Sequence, residues 1–218
     1  MKISTGPFLN LILPKIYPIT DVSLSGISHV QQVERLISGG ATLIQLREKH
    51  ASPRDFFEAA RAAVEIARKH DVKIIINDRV DIARALGADG VHLGQDDLPP
   101  DAARQMLGPD VIIGYSTHSV GQAIKATAYC VDYIAIGPIF ETMTKENPDP
   151  VVGLDGLTEV KKSIGEIPLV AIGGVSLDNI RDVMAAGADS AALISAIVGD
   201  SAVISVKTTQ FLNNVKLC

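Results

Sequence analysis

A glutamine and two basic residues alternate in the segment Gln45-Leu46-Arg47-Glu48-Lys49. The segment overlaps the end of an apolar run, residues 42–47, that is typical of a buried strand. Alternate residues of an extended strand point the same way, so Gln45, Arg47 and Lys49 are expected to face one side together. An amide and two positive charges at one place can hold an anion. The alternative is a charge run at a strand end that only meets solvent.

Two aspartates follow the next two apolar runs of the chain. Asp78 comes after Asn77 at the end of residues 73–77, and Asp97 comes shortly after residues 90–94. Carboxylates from adjacent strands can share a hard cation, and Mg²⁺ typically takes one or two carboxylates and completes its shell with water and substrate phosphates. Asp78 and Asp97 are therefore the predicted metal ligands, in a site that suits a metal-bound polyphosphate.

Both aspartates also have a purely structural interpretation. Asp78 could cap a helix predicted at residues 80–86, and Asp97 could precede a helix that starts at Pro99. The metal site gains weight because cations and carboxylates would then share one edge of the fold.

A long segment after the apolar run 133–137 carries two hydroxyls and an ammonium group, those of Thr142, Thr144 and Lys145. Such a segment could fold over an anionic substrate and exclude water. The alternative is an ordinary surface loop.

Small residues close the last two apolar runs. Residues 168–173 lead into Gly173-Gly174, and residues 190–195 end in Ile194-Ser195, where a helix start is expected. Glycine lets the backbone approach a ligand closely, and N–H groups at a helix start bind phosphate. These positions predict a second anion site, although a tight turn that needs glycine is the alternative.

Three further polar residues stand in or near the strand ends. Ser116 lacks a Ser-His-Asp context and is expected to donate its hydroxyl to an anion. His118 follows it and could act as a general base, but no carboxylate is identifiable as its orienting partner. His92 alternates with apolar neighbours inside its strand and is expected to be packed or hydrogen-bonded rather than a ligand.

Eight short apolar runs supply the elements that would position these residues. Helical patterns separate them, for example from Pro53 to His70 behind a capping Ser52. Eight strand and helix units in 218 residues predict an α/β fold, a (β/α)8 TIM barrel in one domain, 1–218, with residues 1–15 as an N-terminal extension. The runs are 15–20, 42–47, 73–77, 90–94, 111–116, 133–137, 168–173 and 190–195.

A repeated tripeptide supports this division. Gly40-Ala41-Thr42, Gly87-Ala88-Asp89, Cys130-Val131-Asp132 and Gly187-Ala188-Asp189 precede the even-numbered runs, mostly with glycine where a helix must end. Their spacing of two strand-helix units indicates a duplicated quarter of a barrel. An open doubly wound sheet is the alternative architecture. In a barrel, the chemistry is confined to the C-terminal ends of the strands.

The composition excludes several classes of function. The 20 Lys and Arg against 25 Asp and Glu give a net charge of −5, and the chain has no Trp, so nucleic acid is not an expected partner. Two cysteines, Cys130 and Cys218, cannot form a disulfide framework, which favours the cytoplasm. The apolar run 8–13 is short for a leader peptide, and no run approaches the roughly 20 residues that span a membrane.

Eight motifs in this chain, taken in order, resemble the thiamine phosphate synthase family, (β/α)8 enzymes of thiamine biosynthesis. Each motif stands at an expected strand end, and together they cover residues 16–198. The motifs are YPITD at 17–21, QLREK at 45–49, IIND at 75–78, HLGQDD at 92–97, GYSTH at 114–118, GPIFETMTK at 137–145, IGGV at 172–175 and LISAI at 193–197.

The resemblance implies a transferase that uses Mg²⁺. It would join 4-amino-5-hydroxymethyl-2-methylpyrimidine diphosphate to 4-methyl-5-(2-phosphoethyl)thiazole, or to its carboxylated form, and release thiamine monophosphate and diphosphate. The implied catalytic residues are Arg47, Lys49, Ser116 and Lys145. The implied contacts are Gln45, Arg47, Lys49, Asn77, Ser116 and Lys145 to the pyrimidine diphosphate, Thr142, Thr144, Gly174, Ile194 and Ser195 to the thiazole phosphate, and Asp78 and Asp97 to Mg²⁺.

The family is thought to expel diphosphate before the thiazole nitrogen attacks, which needs electrostatic stabilisation but no dedicated base. Two other functions stay open. A related thiazole tautomerase would share the barrel and use a base such as His118, and a regulatory barrel would keep the ligand pocket without the metal pair. The expected partners are small molecules, without nucleic acid or membrane, and a homo-oligomer is compatible with the sequence.

Overall fold

The computed structural model describes residues 11–142, 144 and 149–216. Its eight strands form a closed parallel barrel in which each strand pairs with the next along the chain and the last pairs with the first. This confirms the predicted (β/α)8 barrel and rules out the open sheet. The strands are β1 (Ile16–Asp21), β2 (Leu43–Arg47), β3 (Lys73–Asn77), β4 (Gly90–Leu93), β5 (Ile112–Thr117), β6 (Tyr133–Ile136), β7 (Leu169–Ile172) and β8 (Ser190–Leu193).

Helices connect successive strands. The longest, from Pro53 to Lys69, begins as predicted, because the Ser52 hydroxyl accepts a hydrogen bond from the Asp55 amide at 3.1 Å and proline occupies the first turn. The helices are α1 (Val22–Ser25), α2 (His29–Ser38), α3 (Pro53–Lys69), α4 (Val80–Leu86), α5 (Pro100–Leu107), α6 (Val120–Ala126), α7 (Gly153–Ser163), α8 (Ile180–Ala185), α9 (Ser195–Val198) and α10 (Ile204–Val215), with a 3₁₀ turn at Ser201–Val203.

Buried apolar residues lie on both faces of the barrel wall. A large cluster packs the strands against the helices, and a smaller one, which includes Tyr17, Ile75 and Tyr133, fills the barrel interior. Alternation along each strand sorts the residues between the two clusters, since Ile16 belongs to the first and Tyr17 to the second. Strands buried on both faces explain the almost continuous apolar runs in the sequence.

The repeated tripeptide fastens pairs of strands together. The carboxylates of Asp89, Asp132 and Asp189 each accept a hydrogen bond of 2.8 Å from a backbone amide near the start of the preceding odd-numbered strand. The first copy differs, because Thr42 has no carboxylate and its backbone oxygen accepts a hydrogen bond of 3.0 Å from the Lys73 amide at the start of the following strand, β3. The three aspartates therefore join the pairs β3–β4, β5–β6 and β7–β8 near the N-terminal ends of the strands.

Among the described residues, no helix has the length and the apolar character needed to cross a membrane.

Candidate active site

The C-terminal ends of the strands enclose a cavity of about 540 Å³ with residues from all eight strand ends in its wall. A second cavity, of about 630 Å³, opens at the opposite end beside Lys73 and Asp110, where barrel enzymes place no chemistry. Every predicted site residue that the structure describes lines the first cavity: Gln45, Arg47, Lys49, Asn77, Asp78, Asp97, Ser116, Thr142, Thr144, Gly174, Ile194 and Ser195. Lys145 lies outside the described residues.

The two aspartates face each other in this cavity instead of capping helices. Helix α4 begins behind Arg79 and helix α5 behind Pro99, neither with a side-chain cap. The Asp97 carboxylate accepts a hydrogen bond from the Gly94 amide at 2.7 Å, and it also contacts the Asp78 carboxyl group. Burial raises the pKa of Asp97, and the negative charge of Asp78 raises it further.

This carboxyl pair fits a divalent cation. Two oxygen donors from adjacent strands meet beside the Lys49 ammonium, which forms an ion pair with Asp78. Hard oxygen ligands suit Mg²⁺, and a cation between the carboxylates would remove the repulsion that raises the pKa of Asp97. Residues 11–142, 144 and 149–216 contain no cluster of three or more acidic, histidine or cysteine ligands, so water and substrate would have to complete the shell of the ion.

Groups that can hold an anion lie beside the carboxyl pair. The Asn77 side chain is 7% exposed, and its amide nitrogen has no hydrogen-bond partner within the described part of the chain. A buried N–H without a partner is costly, and a ligand oxygen would satisfy it. Arg47, on the neighbouring strand, forms an ion pair with Asp21.

Hydroxyl groups form a second polar patch on the other side of the cavity. The Thr144 hydroxyl lies 3.4 Å from the Ser195 hydroxyl and 3.4 Å from that of Thr142. Gly174 has a φ of 65°, and a Cβ there would lie 2.6 Å from Phe140 Cβ, so glycine is required for the loop after β6 to pack on β7. Packing alone thus accounts for this glycine, which nevertheless lines the cavity.

The two histidines near the strand ends differ in their partners. His92 is hydrogen-bonded through both ring nitrogens, as predicted, and burial lowers its pKa to about 4, so its ring is neutral. His118 Nδ1 lies 2.8 Å from the Gly137 carbonyl oxygen and 3.4 Å from a carboxylate oxygen of Asp149. The sequence showed no carboxylate for His118 because Asp149 reaches it from a distant loop.

Sequence reasoning also missed three residues that support the site. Asp21 ends β1 in register with Arg47, so the rule that strand ends carry the chemistry could have identified it. Tyr17 and Tyr133 lie below the cavity and are almost completely buried. Their hydroxyls are 3.0 Å apart, a contact between non-adjacent strands that no local pattern reveals.

Comparison with known proteins agrees with this geometry. A family model described as thiamine monophosphate synthase matches residues 16–197. Thiamine-phosphate synthase of Clostridium novyi (strain NT) is 49% identical over 185 residues, which cover 84% of this chain and 90% of the relative. The enzyme of the same name from Chloroflexus aurantiacus is 46% identical over 84% of this chain and 85% of the relative.

A solved structure agrees as well. Thiamine phosphate pyrophosphorylase from Pyrococcus furiosus superposes with a TM-score of 0.84 at 37% identity, over 93% of this chain and 96% of that one. The resemblance inferred from eight motifs is thereby confirmed over most of the chain. The chain belongs to the thiamine monophosphate synthase family, a family of transferases.

Proposed function

We propose that this chain condenses 4-amino-5-hydroxymethyl-2-methylpyrimidine diphosphate with 4-methyl-5-(2-phosphoethyl)thiazole, or its carboxylated form, to give thiamine monophosphate and diphosphate. The observation that carries the proposal is the meeting of the Asp78–Asp97 pair with Arg47, Lys49 and the unpartnered Asn77 amide in one cavity of the described chain. Paired carboxylates beside cations and a free N–H donor suit a diphosphate that arrives with a divalent cation.

The residues of the chain stabilise a departing anion. The bond between the exocyclic methylene carbon and the diphosphate oxygen breaks, and its electron pair leaves with diphosphate. Hydrogen bonds to that anion come from Arg47, Lys49, Ser116 and the Asn77 amide. Lys145, which lies outside the described residues, is proposed to add a further positive charge. Asp78 and Asp97 would hold Mg²⁺, which supplies positive charge to neutralise the leaving group.

The thiazole nitrogen then attacks the methylene carbon with its own lone pair, so no residue has to remove a proton. Thr142, Thr144 and Ser195 donate hydroxyl hydrogen bonds to the phosphate of the thiazole, while Gly174 and Ile194 shape the pocket around it. The Thr144–Ser195 contact supports this assignment, because it joins the segment after β6 to the start of α9. Closing the loop over both substrates would exclude water from a reactive cation.

A thiazole tautomerase is the second candidate, and the His118–Asp149 contact favours it. A histidine oriented by a carboxylate can move a proton. Substitution of His118 by alanine separates the two candidates: the condensation should keep most of its rate, whereas proton transfer on the thiazole would be lost.

The direct test incubates the purified chain with both precursors, with Mg²⁺ or with a chelator, and measures thiamine phosphate and diphosphate. We expect equal amounts of both products, with Mg²⁺ required. Formation of neither product would refute the proposed function, and condensation at full rate in the chelator would refute the role of the metal.

We further propose that the reaction takes place in the cytoplasm, since two cysteines do not form a disulfide framework. The proposed partners are the two small-molecule precursors, and a homo-oligomer stays a prediction from the sequence.

A further inference from the structure

A continuous chain of hydrogen bonds crosses the floor of the cavity. Gln45 Nε2 donates to Tyr17 Oη at 3.0 Å, and Tyr17 Oη lies 3.0 Å from Tyr133 Oη. His92 Nδ1 lies 2.8 Å from Tyr133 Oη, and His92 Nε2 lies 2.8 Å from Ser116 Oγ. We call these five residues the floor chain. Both of its ends, Gln45 and Ser116, line the cavity.

Ring packing holds the middle of the floor chain in one arrangement. The Tyr133 ring stacks on His92 with ring centroids 5.5 Å apart, and it meets Tyr17 edge-on at 5.9 Å. Gly114 makes room for it, because a Cβ there would lie 2.0 Å from Tyr133 Cζ. The hydroxyls and the imidazole therefore have little freedom to choose other partners.

The inner members of the floor chain each have a single proton to donate. Burial raises the pKa of Tyr17 and of Tyr133, so both stay phenols. His92 is 8% exposed and both of its ring nitrogens meet hydroxyl groups rather than a carboxylate, so its ring is neutral, with one N–H and one bare nitrogen. An imidazole of this kind donates on one side and accepts on the other. All the bonds of the floor chain must therefore run in the same direction.

Gln45 sets that direction. Since its Nε2 donates to Tyr17, the Tyr17 proton goes to Tyr133 and the Tyr133 proton goes to His92 Nδ1. His92 then carries its own proton on Nε2 and donates it to Ser116. At the two ends, Gln45 Oε1 remains to accept a hydrogen bond from a ligand, and the Ser116 proton remains to be donated.

We propose that Tyr17, Tyr133 and His92 are positioning residues that fix Gln45 as an acceptor and Ser116 as a donor. The identity of the ligand rests on the proposed function. An amide oxygen at Gln45 matches the amino group of the aminopyrimidine, and a hydroxyl donor at Ser116 matches an oxygen of the departing diphosphate. A floor chain of the opposite direction would present a donor to the amino group and a bare oxygen to the anion.

The tautomer of His92 tests the proposal without any substrate. The full chain, labelled with ¹⁵N-histidine, contains 5 histidines, and the variant His92→Asn identifies the signals of His92 by their loss. We expect a neutral ring at neutral pH with its proton on Nε2. A proton on Nδ1 would overturn the proposal, whether or not the protein makes thiamine phosphate.

A double-mutant cycle tests the route through Ser116. Tyr133→Phe removes the donor to His92 and keeps the ring, so we expect kcat to fall about tenfold or more, as for other small losses of alignment, with KM for the pyrimidine diphosphate little changed. In a Ser116→Ala background, the same substitution should cost little further. Tyr115→Phe is the matched control, because Tyr115 is a buried tyrosine outside the floor chain, and it should keep the wild-type kcat.

If the loss of kcat in the double variant equals the product of the losses in the two single variants, Tyr133 acts independently of Ser116 and only supports the fold. That result would overturn the proposal. Should Tyr133→Phe fail to fold, Tyr17→Phe carries the same expectation in the same cycle. A wild-type protein that forms no product refutes the proposed function, and the His92 tautomer then decides the direction of the floor chain by itself.

Discussion

Asp97 stands at the centre of the electrostatics of the site. Its carboxyl group contacts Asp78, whose own partner is the Lys49 ammonium. Two carboxyl groups this close favour a shared proton or a shared cation, because either relieves their repulsion. In the proposed reaction a shared cation would be more useful than a shared proton, since it would also bind the leaving diphosphate.

Loss of the Asp97 charge should therefore slow the reaction far more than it disturbs the fold. We expect Asp97→Asn, and likewise Asp97→Ala, to lower kcat by about 10²-fold or more, the usual loss for one electrostatic stabiliser. Lys145→Ala should give a loss of the same order, as expected for a cation on the departing diphosphate. Steady-state kinetics with saturating Mg²⁺ measure both losses.

Asp110→Asn serves as the control for charge, because Asp110 is exposed at the opposite end of the barrel. It should leave kcat unchanged. Wild-type rates in both Asp97→Asn and Lys145→Ala, with the fold intact, would contradict the roles assigned to these residues.

His92 links the site to the pH dependence of stability. Its pKa is lowered from the ordinary value of 6.5 to about 4 in the folded chain, so between these limits the unfolded chain binds more protons. The contribution of His92 to the free energy of unfolding is therefore fully present above pH 6.5. It is lost as the pH falls towards 4, by up to about 3 kcal/mol. Urea unfolding across this range measures the slope.

The variant His92→Asn should flatten that slope, whereas His70→Asn, an exposed histidine, should leave it as in the wild type. A slope that is equally steep without His92 would mean that other groups, such as the buried His29, cause the loss in acid.

At the scale of elements, the repeated aspartates join pairs of strands with unequal strength. The Asp132 side chain is completely buried and accepts hydrogen bonds from the Ile113 amide and from Arg104, at 2.8 and 2.6 Å. Asp89 makes the same backbone contact, with the Ile74 amide, but is exposed. Removing one charge of a buried pair leaves the other charge without compensation.

We therefore expect Asp132→Asn to lower the free energy of unfolding by about 3 kcal/mol or more. Asp89→Asn should cost less than about 1 kcal/mol, since water can replace the lost contact. Chemical denaturation of both variants measures the difference. Equal losses would show that the shared backbone hydrogen bond, rather than the buried ion pair, provides the stability.

The elements were predictable to within a few residues because strands buried on both faces have a strong apolar signal. That Gln45, Arg47 and Asn77 line one cavity was predictable as well, because closing the barrel brings all strand ends together. The contacts across the barrel and from loops were not predictable. Tyr17 meets Tyr133 across 116 positions of sequence, and Asp149 reaches His118 through a segment without periodicity.

At the scale of the whole molecule, the protein must bind anions while carrying a net charge of −5. Long-range attraction cannot help, so in the proposed site binding would depend on local donors such as Arg47, Lys49 and Asn77 and on a divalent cation held by Asp78 and Asp97. Because only the closed barrel brings these residues together, a ligand that needs all of them binds the folded state and not the unfolded chain. Binding and stability are then linked.

Inorganic diphosphate with Mg²⁺ should therefore stabilise the barrel against heat. A ligand at 100 times its Kd adds about 2.7 kcal/mol, which raises Tm by roughly 5–10 °C for a domain of this size. Diphosphate without Mg²⁺ should do much less, because the carboxylates then repel it. The same titration of Asp97→Asn should give only a small rise in Tm, and Asp110→Asn should respond like the wild type. A full rise in Asp97→Asn, or in the wild type with a chelator, would mean that the anion binds without the metal pair.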